Sequence, residues 1–143
     1  MRNQSIGLLL LRVLVGWVFV SEGIQKLYFP GTLGVARFAK IGIPAPGFSA
    51  PFVGGVEIVC GALVLLGIYT VWACFPLLAV ICTAIATTKI PYFIQHGAWA
   101  ALHESRTDFS MLLGLVAILF LGPGLLSLDA RRRRSRTTGP QPR

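Results

Sequence analysis

With 143 residues the chain has room for one domain. Its composition, 55% hydrophobic and 13% charged, excludes an ordinary soluble protein, where charged residues alone reach about 25%, and marks an integral membrane protein. The net charge of +8 is no sign of nucleic-acid binding, because six arginines fall in the last 13 residues, RRRRSRTTGPQPR, the usual basic flank of a membrane span.

Residues 6–28, IGLLLLRVLVGWVFVSEGIQKLY, form the first predicted span, since roughly 20 mostly apolar residues match a hydrocarbon core of ~30 Å. Arg12 interrupts the apolar run and no small-x-small cleavage site follows before Glu22, so this helix is expected to be retained rather than removed as a signal peptide. It also carries Glu22, Gln25 and Lys26, and an Arg, Lys or Asp near the centre of a span costs about 2.5–3.5 kcal/mol. At ~100° per residue, Arg12, Gly16, Phe19, Gly23 and Lys26 share one stripe. Glu22 precedes Lys26 by one turn, the order that favours an ion pair. This glycine-indented polar face has to meet protein or water rather than lipid.

Residues 29–51 are punctuated by Pro and Gly, and within them GVARFAKIG suits a short amphipathic helix lying on the membrane surface. The second span is expected over 52–69, with Glu57 well inside it, and the third over about 71–90, where Ala79, Thr83 and Thr87 make a small-residue ridge suited to close helix packing. The segment 91–107 is interfacial in character, with Tyr92 and Trp99 suited to an aromatic belt. A fourth span is expected over 108–126, and a basic disordered tail over 129–143. The expected fold is therefore an all-α integral membrane domain over 1–128, a four-transmembrane-helix bundle with short interfacial helices after span one and before span four.

Four spans bring both termini to one side. Arg2 and the tail arginines make that side the cytoplasm of a cell (cytoplasmic/inner) membrane, with Lys26, Arg37, Lys40, Lys89 and Arg106 toward the other. Counting along the helices, Glu22 lies ~9 Å inside the end of the first span and Glu57 a similar depth inside the start of the second. Thr87 and Lys89 close the third span on that side, and Arg106 and Asp108 open the fourth there. All ionisable groups of the spans except Arg12 thus gather in one membrane half, where Lys26 can pair with Glu22 or Glu57, and Arg106 with Asp108. Two readings follow. The groups form a hydrogen-bonded plug that fixes helix register, or they line a polar pocket, open to the outer surface, that handles protons or a polar head group. Glu57 is the sharpest member, because a carboxyl in an apolar span needs a cation or a proton. Arg12 stands apart near the inner surface, either snorkelling to phosphates or serving packing or ligand binding.

Other chemistry is excluded. His96 and His103 fall in one connection, which rules against a bis-histidine haem, and no compact His/Cys/Asp/Glu set has metal-ligand spacing. Cys60, Cys74 and Cys82 lie in apolar segments without CxxC spacing and are expected to be reduced thiols. No nucleotide-binding glycine loop or Ser/His/Asp arrangement can be placed, and no residue stands out as catalytic. No cofactor is built in; a redox cofactor would be dissolved in the membrane or carried by a partner.

Three stretches resemble a known family. LLLRVLVGWVFVSEGIQKL is similar to the first helix of DoxX-type membrane proteins, with an arginine, a glycine and then G-x-x-K-L. GGVEIVCGALVLLG resembles their second helix, and GPGLLSLDA their closing G-x-G-x-x-S-x-D. By position, Arg12, Gly16, Gly23, Lys26, Glu57, Gly61, Gly122, Gly124, Ser127 and Asp129 match the pattern, whereas Glu22 stands where many members carry histidine. The resemblance implies a small four-span subunit related to the membrane component of thiosulfate:quinone oxidoreductase. As an enzyme it would be an oxidoreductase subunit rather than self-sufficient, working with a redox partner protein. Membrane quinone would be bound or protonated by Glu57, Lys26 and Glu22, with Arg12, Thr87, Arg106 and Asp108 in support. A small proton-coupled transporter, built as a homo-oligomer, and a non-catalytic membrane anchor for a partner are the other two readings.

Overall fold

The computed structural model describes residues 2–137, and these contain helices and connections but no strand. Helix α1 spans Arg2–Tyr28, α2 Val35–Lys40, α3 Pro46–Leu66 and α4 Thr70–Ala84. A π-helical turn over Ile85–Lys89 leads into α5, Ile90–His96, and then come α6, Ala98–Leu121, and α7, Leu128–Thr137.

The α1 stripe is buried as its spacing requires: Arg12, Gly16, Phe19 and Gly23 face inward, while Val13, Leu14, Trp17 and Ile24 face out. What α1 meets is α3, antiparallel, with the two backbones touching at two levels. A Cβ on Gly16 would lie 2.7 Å from the Gly61 carbonyl oxygen, and one on Gly23 would lie 2.5 Å from that of Gly54. Both helices carry their contact glycines seven residues apart, so both pairs obey one antiparallel register. Such approach is what small residues permit between spans, where dispersion between surfaces replaces the hydrophobic effect.

Helix α3 begins at Pro46, six residues before the expected span, because proline is at home in a first helical turn. It ends at Gly67, whose φ of 72° lets the Gly67 and Ile68 amides both donate back to Leu63. The α4 hairpin partner continues well beyond the expected end at residue 90. Pro91 has no N–H to donate to Thr87 and its ring crowds that carbonyl, so the turn holding Thr87 opens to π spacing and the chain stays helical to His96. Only Gly97, at φ 82°, breaks it.

Helix α6 then starts at Ala98, ten residues before the expected span. The interfacial helix expected over 91–107 is therefore replaced by the end of one long helix and the start of another. Three helical stretches among the described residues are long and apolar enough to cross a membrane: Gln4–Tyr28, Pro46–Leu66 and Thr70–His96. Helix α6 is 24 residues long but holds Glu104, Arg106 and Asp108 in its first half. The core between α1, α3, α4 and α6 is built from Val15, Phe19, Val64, Leu77, Met111, Leu115 and Ile118 with their neighbours.

Residues 129–137, expected as the start of a disordered tail, are helical here; positions 138–143 of that tail lie outside the described residues. The helix is anchored by Asp129 in its first turn. Asp129 accepts hydrogen bonds from the Tyr69 amide at 3.0 Å and from the Thr70 amide and hydroxyl, each at 3.1 Å, so one carboxylate caps the start of α4 while holding α7 in place.

Candidate functional site

At the end of the bundle away from Asp129, the helices leave a cavity of about 470 Å³. Its walls come from α1 (Val18, Phe19, Glu22, Lys26), α3 (Ser49, Val53, Glu57) and the α4–π stretch from Ala79 to Lys89, closed by Glu104, Asp108 and Met111 of α6. Helix α2 folds over it, burying Phe38 and adding Arg37 at the rim. The ridge Ala79, Thr83 and Thr87, expected to pack against a helix, lines this space instead. The Thr83 and Thr87 hydroxyls donate to the carbonyls of Ala79 and Thr83, each at 2.8 Å, which satisfies their protons within the helix and leaves a smooth wall.

Two ionic groups face this cavity. In the first, Lys26 reaches across the glycine crossing to α3 and donates to Glu57 Oε1 at 3.0 Å, with Oε2 2.8 Å from the same ammonium. The Glu57 side chain is only 4% exposed. Glu22 Oε2, half exposed, lies 3.6 Å from Lys26 Nζ. Glu22, Lys26 and Glu57, three of the residues that the depth count sets in one membrane half, are thus brought together. The second group is centred on Lys89, whose Nζ is 3.2 Å from Glu104 Oε1 and 3.1 Å from Asp108 Oδ2.

The expected Arg106–Asp108 pair does not form. Two residues apart on a helix, their side chains point to opposite faces, and Arg106 lies instead beside the His103 ring, 3.1 Å from Nε2, on the exposed surface. Glu104 and Asp108 are one turn apart and share the face toward Lys89. That signal lay in the sequence, and it needed only α6 to be extended back through residue 104.

Arg12 belongs to a different assembly. It is 1% exposed and makes three hydrogen bonds to carbonyl oxygens: Nε to Val64 at 3.0 Å, Nη2 to Leu65 at 3.0 Å, and Nη1 to Pro123 at 2.9 Å. It therefore ties the end of α3 to the turn after α6, and it does not line the cavity. Gly67 has to be glycine twice over, for its positive φ and because a Cβ there would meet the Arg12 guanidinium and Ser127. Gly122 and Gly124, at φ 75° and 76°, shape the turn that presents Pro123, and the Ser127 hydroxyl donates to the Gly124 carbonyl at 2.6 Å. The closing motif is thus a clamp at the opposite end of the bundle from the cavity.

Cys60, Cys74 and Cys82 are free thiols, and no cluster of metal-ligating side chains occurs among the described residues. What the cavity can do is hold a small, largely apolar molecule whose polar end meets a lysine and carboxylates.

Residues 7–90 match the DoxX family profile. Over 133 residues the chain is 50% identical to the uncharacterized membrane protein Rv3486 of Mycobacterium tuberculosis, an alignment covering 89% of this chain and 82% of that protein. Over 131 residues it is 30% identical to a Bacillus subtilis protein named "Putative oxidoreductase CatD", covering 90% of this chain and 88% of the relative. No solved structure matches the chain. The profile spans more than half of the sequence, and it includes the arginine of the clamp, the glycine crossings and the Lys26–Glu57 pair: the chain belongs to the DoxX family.

Proposed function

We propose that this protein is a quinone-associated subunit of a membrane redox complex, with the cavity between α1, α3, α4 and α6 as the quinone head-group site. The observation that carries this reading is the Lys26–Glu57 pair, buried in the wall of a cavity of about 470 Å³ beside apolar side chains such as Val18, Phe19, Val53 and Met111. That volume lies in the ~300–1,000 Å³ range of small-molecule sites, and an ion pair in an apolar span is costly unless it works or is well satisfied. The CatD relative's name supports redox chemistry for the family. In this reading the subunit passes electrons through a partner protein.

In this reading α6 is the fourth span. Arg12, near the start of α1, bonds to Pro123, just after α6, and to the end of α3. Asp129 beyond α6 caps the α3–α4 hairpin. The end of α6 therefore lies at the same end of the bundle as the start of α1, which fits an even number of crossings. The basic α7 supports a cytoplasmic location for that end, with the cavity then in the outer half of the cytoplasmic membrane.

The test is quinone-linked electron transfer by the assembled complex in native membranes. Glu57→Gln and Lys26→Met are expected to lower it at least tenfold with the subunit still incorporated. Unchanged activity removes the cavity from the pathway. A loss of partner recovery alone, without a catalytic defect, assigns the protein to a non-catalytic anchor.

A further inference from the structure

Resting on that reading, we infer that the cavity is built for the hydroxyl-bearing, reduced form of its ligand, a quinol, rather than for the quinone. The geometry of Glu57 is the reason. A carboxylate offers two oxygens and about four acceptor positions. Among the described residues Lys26 is the one donor that reaches Glu57, through Oε1 at 3.0 Å. Oε2 is 2.8 Å from the same nitrogen, an ion-pair contact, so one ammonium serves both oxygens and the remaining acceptor positions of this buried carboxylate, on a residue that lines the cavity, meet no other donor.

No other polar side chain of the cavity wall donates to Glu57 in this structure. Glu22 is itself an acceptor at the same ammonium. The Thr83, Thr87 and Thr88 hydroxyls each donate to a carbonyl of their own helix. Lys89 is held by Glu104 and Asp108. A ligand therefore meets an ammonium beside a carboxylate that still has acceptor positions open. A quinone carbonyl can accept from Lys26 but gives Glu57 Oε2 nothing, and it sets one buried acceptor against another. A quinol hydroxyl accepts from Lys26 and donates to Glu57 Oε2, so it answers both groups with one oxygen.

A hydrogen bond to a charged group is worth about tenfold or more in affinity. The wild-type protein in lipid nanodiscs, kept anaerobic, would be titrated with tetramethyl-1,4-benzoquinone, its hydroquinone and the dimethyl ether of that hydroquinone, against empty nanodiscs. The hydroquinone is expected to bind at least tenfold more tightly than the other two, and Glu57→Gln to abolish that preference. Equal or tighter binding of the quinone overturns the inference and leaves the quinone-site reading standing, as does a preference that survives Glu57→Gln. Failure of all three probes to bind above empty nanodiscs overturns both. The three-probe comparison uses the unaltered chain and so decides the matter even where the variant does not fold.

Discussion

Lys26 and Glu57 are drawn together because neither tolerates the apolar wall alone. Removing one partner of a buried pair leaves an uncompensated charge, at a cost of about 3–5 kcal/mol, whereas replacing both by neutral groups costs much less. Lys26→Met is thus expected to lower the unfolding midpoint in detergent markedly, and Lys26→Met/Glu57→Gln to recover most of the loss. A double variant no more stable than Lys26→Met would mean that Glu57 is not held by Lys26. This pair was legible from the sequence through depth alone, since counting residues in from two span ends sets both side chains at one level. The expected Arg106–Asp108 pair is absent for the complementary reason: residues i and i+2 are close along the chain but about 200° apart around a helix. Arg12 could be seen to be buried, but its partners are backbone carbonyls, and backbone groups freed at a helix end leave no trace in residue type.

The α1–α3 crossing depends on bare backbone. A methyl on Gly23 would sit 2.5 Å from the Gly54 carbonyl and 2.8 Å from Ile58 Cγ1, and neither helix can retreat without opening the neighbouring contact at Gly16 and Gly61. Gly23→Ala is accordingly expected to destabilise the protein by about 1–3 kcal/mol. Gly55→Ala, at a helical position where a Cβ meets nothing within 4 Å, is expected to be neutral or to stabilise by up to about 1 kcal/mol. Thermal unfolding of the two variants side by side checks this, and equal midpoints would contradict the crossing. The α1 stripe could be read because its period is helical and four of its five residues are charged or glycine. The course of residues 91–107 could not, because Pro91, Tyr92 and the polar run to Asp108 have the composition of an interface while the backbone stays helical on both sides of Gly97. The π turn was equally hidden, being a local response to Pro91 rather than a residue pattern.

For the molecule as a whole, the two ends of the bundle divide the labour. One holds the clamp of Arg12, Gly67, Ser127 and Asp129, and the other holds the cavity with its two ionic groups. The proposed four crossings predict that single cysteines at Gly31 and His96, in a cysteine-free background, are labelled by an impermeant thiol reagent from outside intact cells. One at Ile68 is expected to be protected until the membrane is opened. Labelling of position 68 from outside would invert or abolish the proposed topology. The all-helical, membrane-embedded character was legible from composition, and the family from three short motifs. The cavity itself was not, since its roof, α2, and its fourth wall, the start of α6, are segments whose polarity resembles that of loops.

The central claim, that the Lys26–Glu57 cavity holds a membrane quinone, is tested most directly by what the protein carries. The tagged protein would be purified gently from native membranes, and quinone plus quinol per protein measured by mass spectrometry for the wild type and for Glu57→Gln. About one molecule per chain in the wild type, lost in the variant, is the expected result. No enrichment over bulk membrane lipid in either preparation would contradict it.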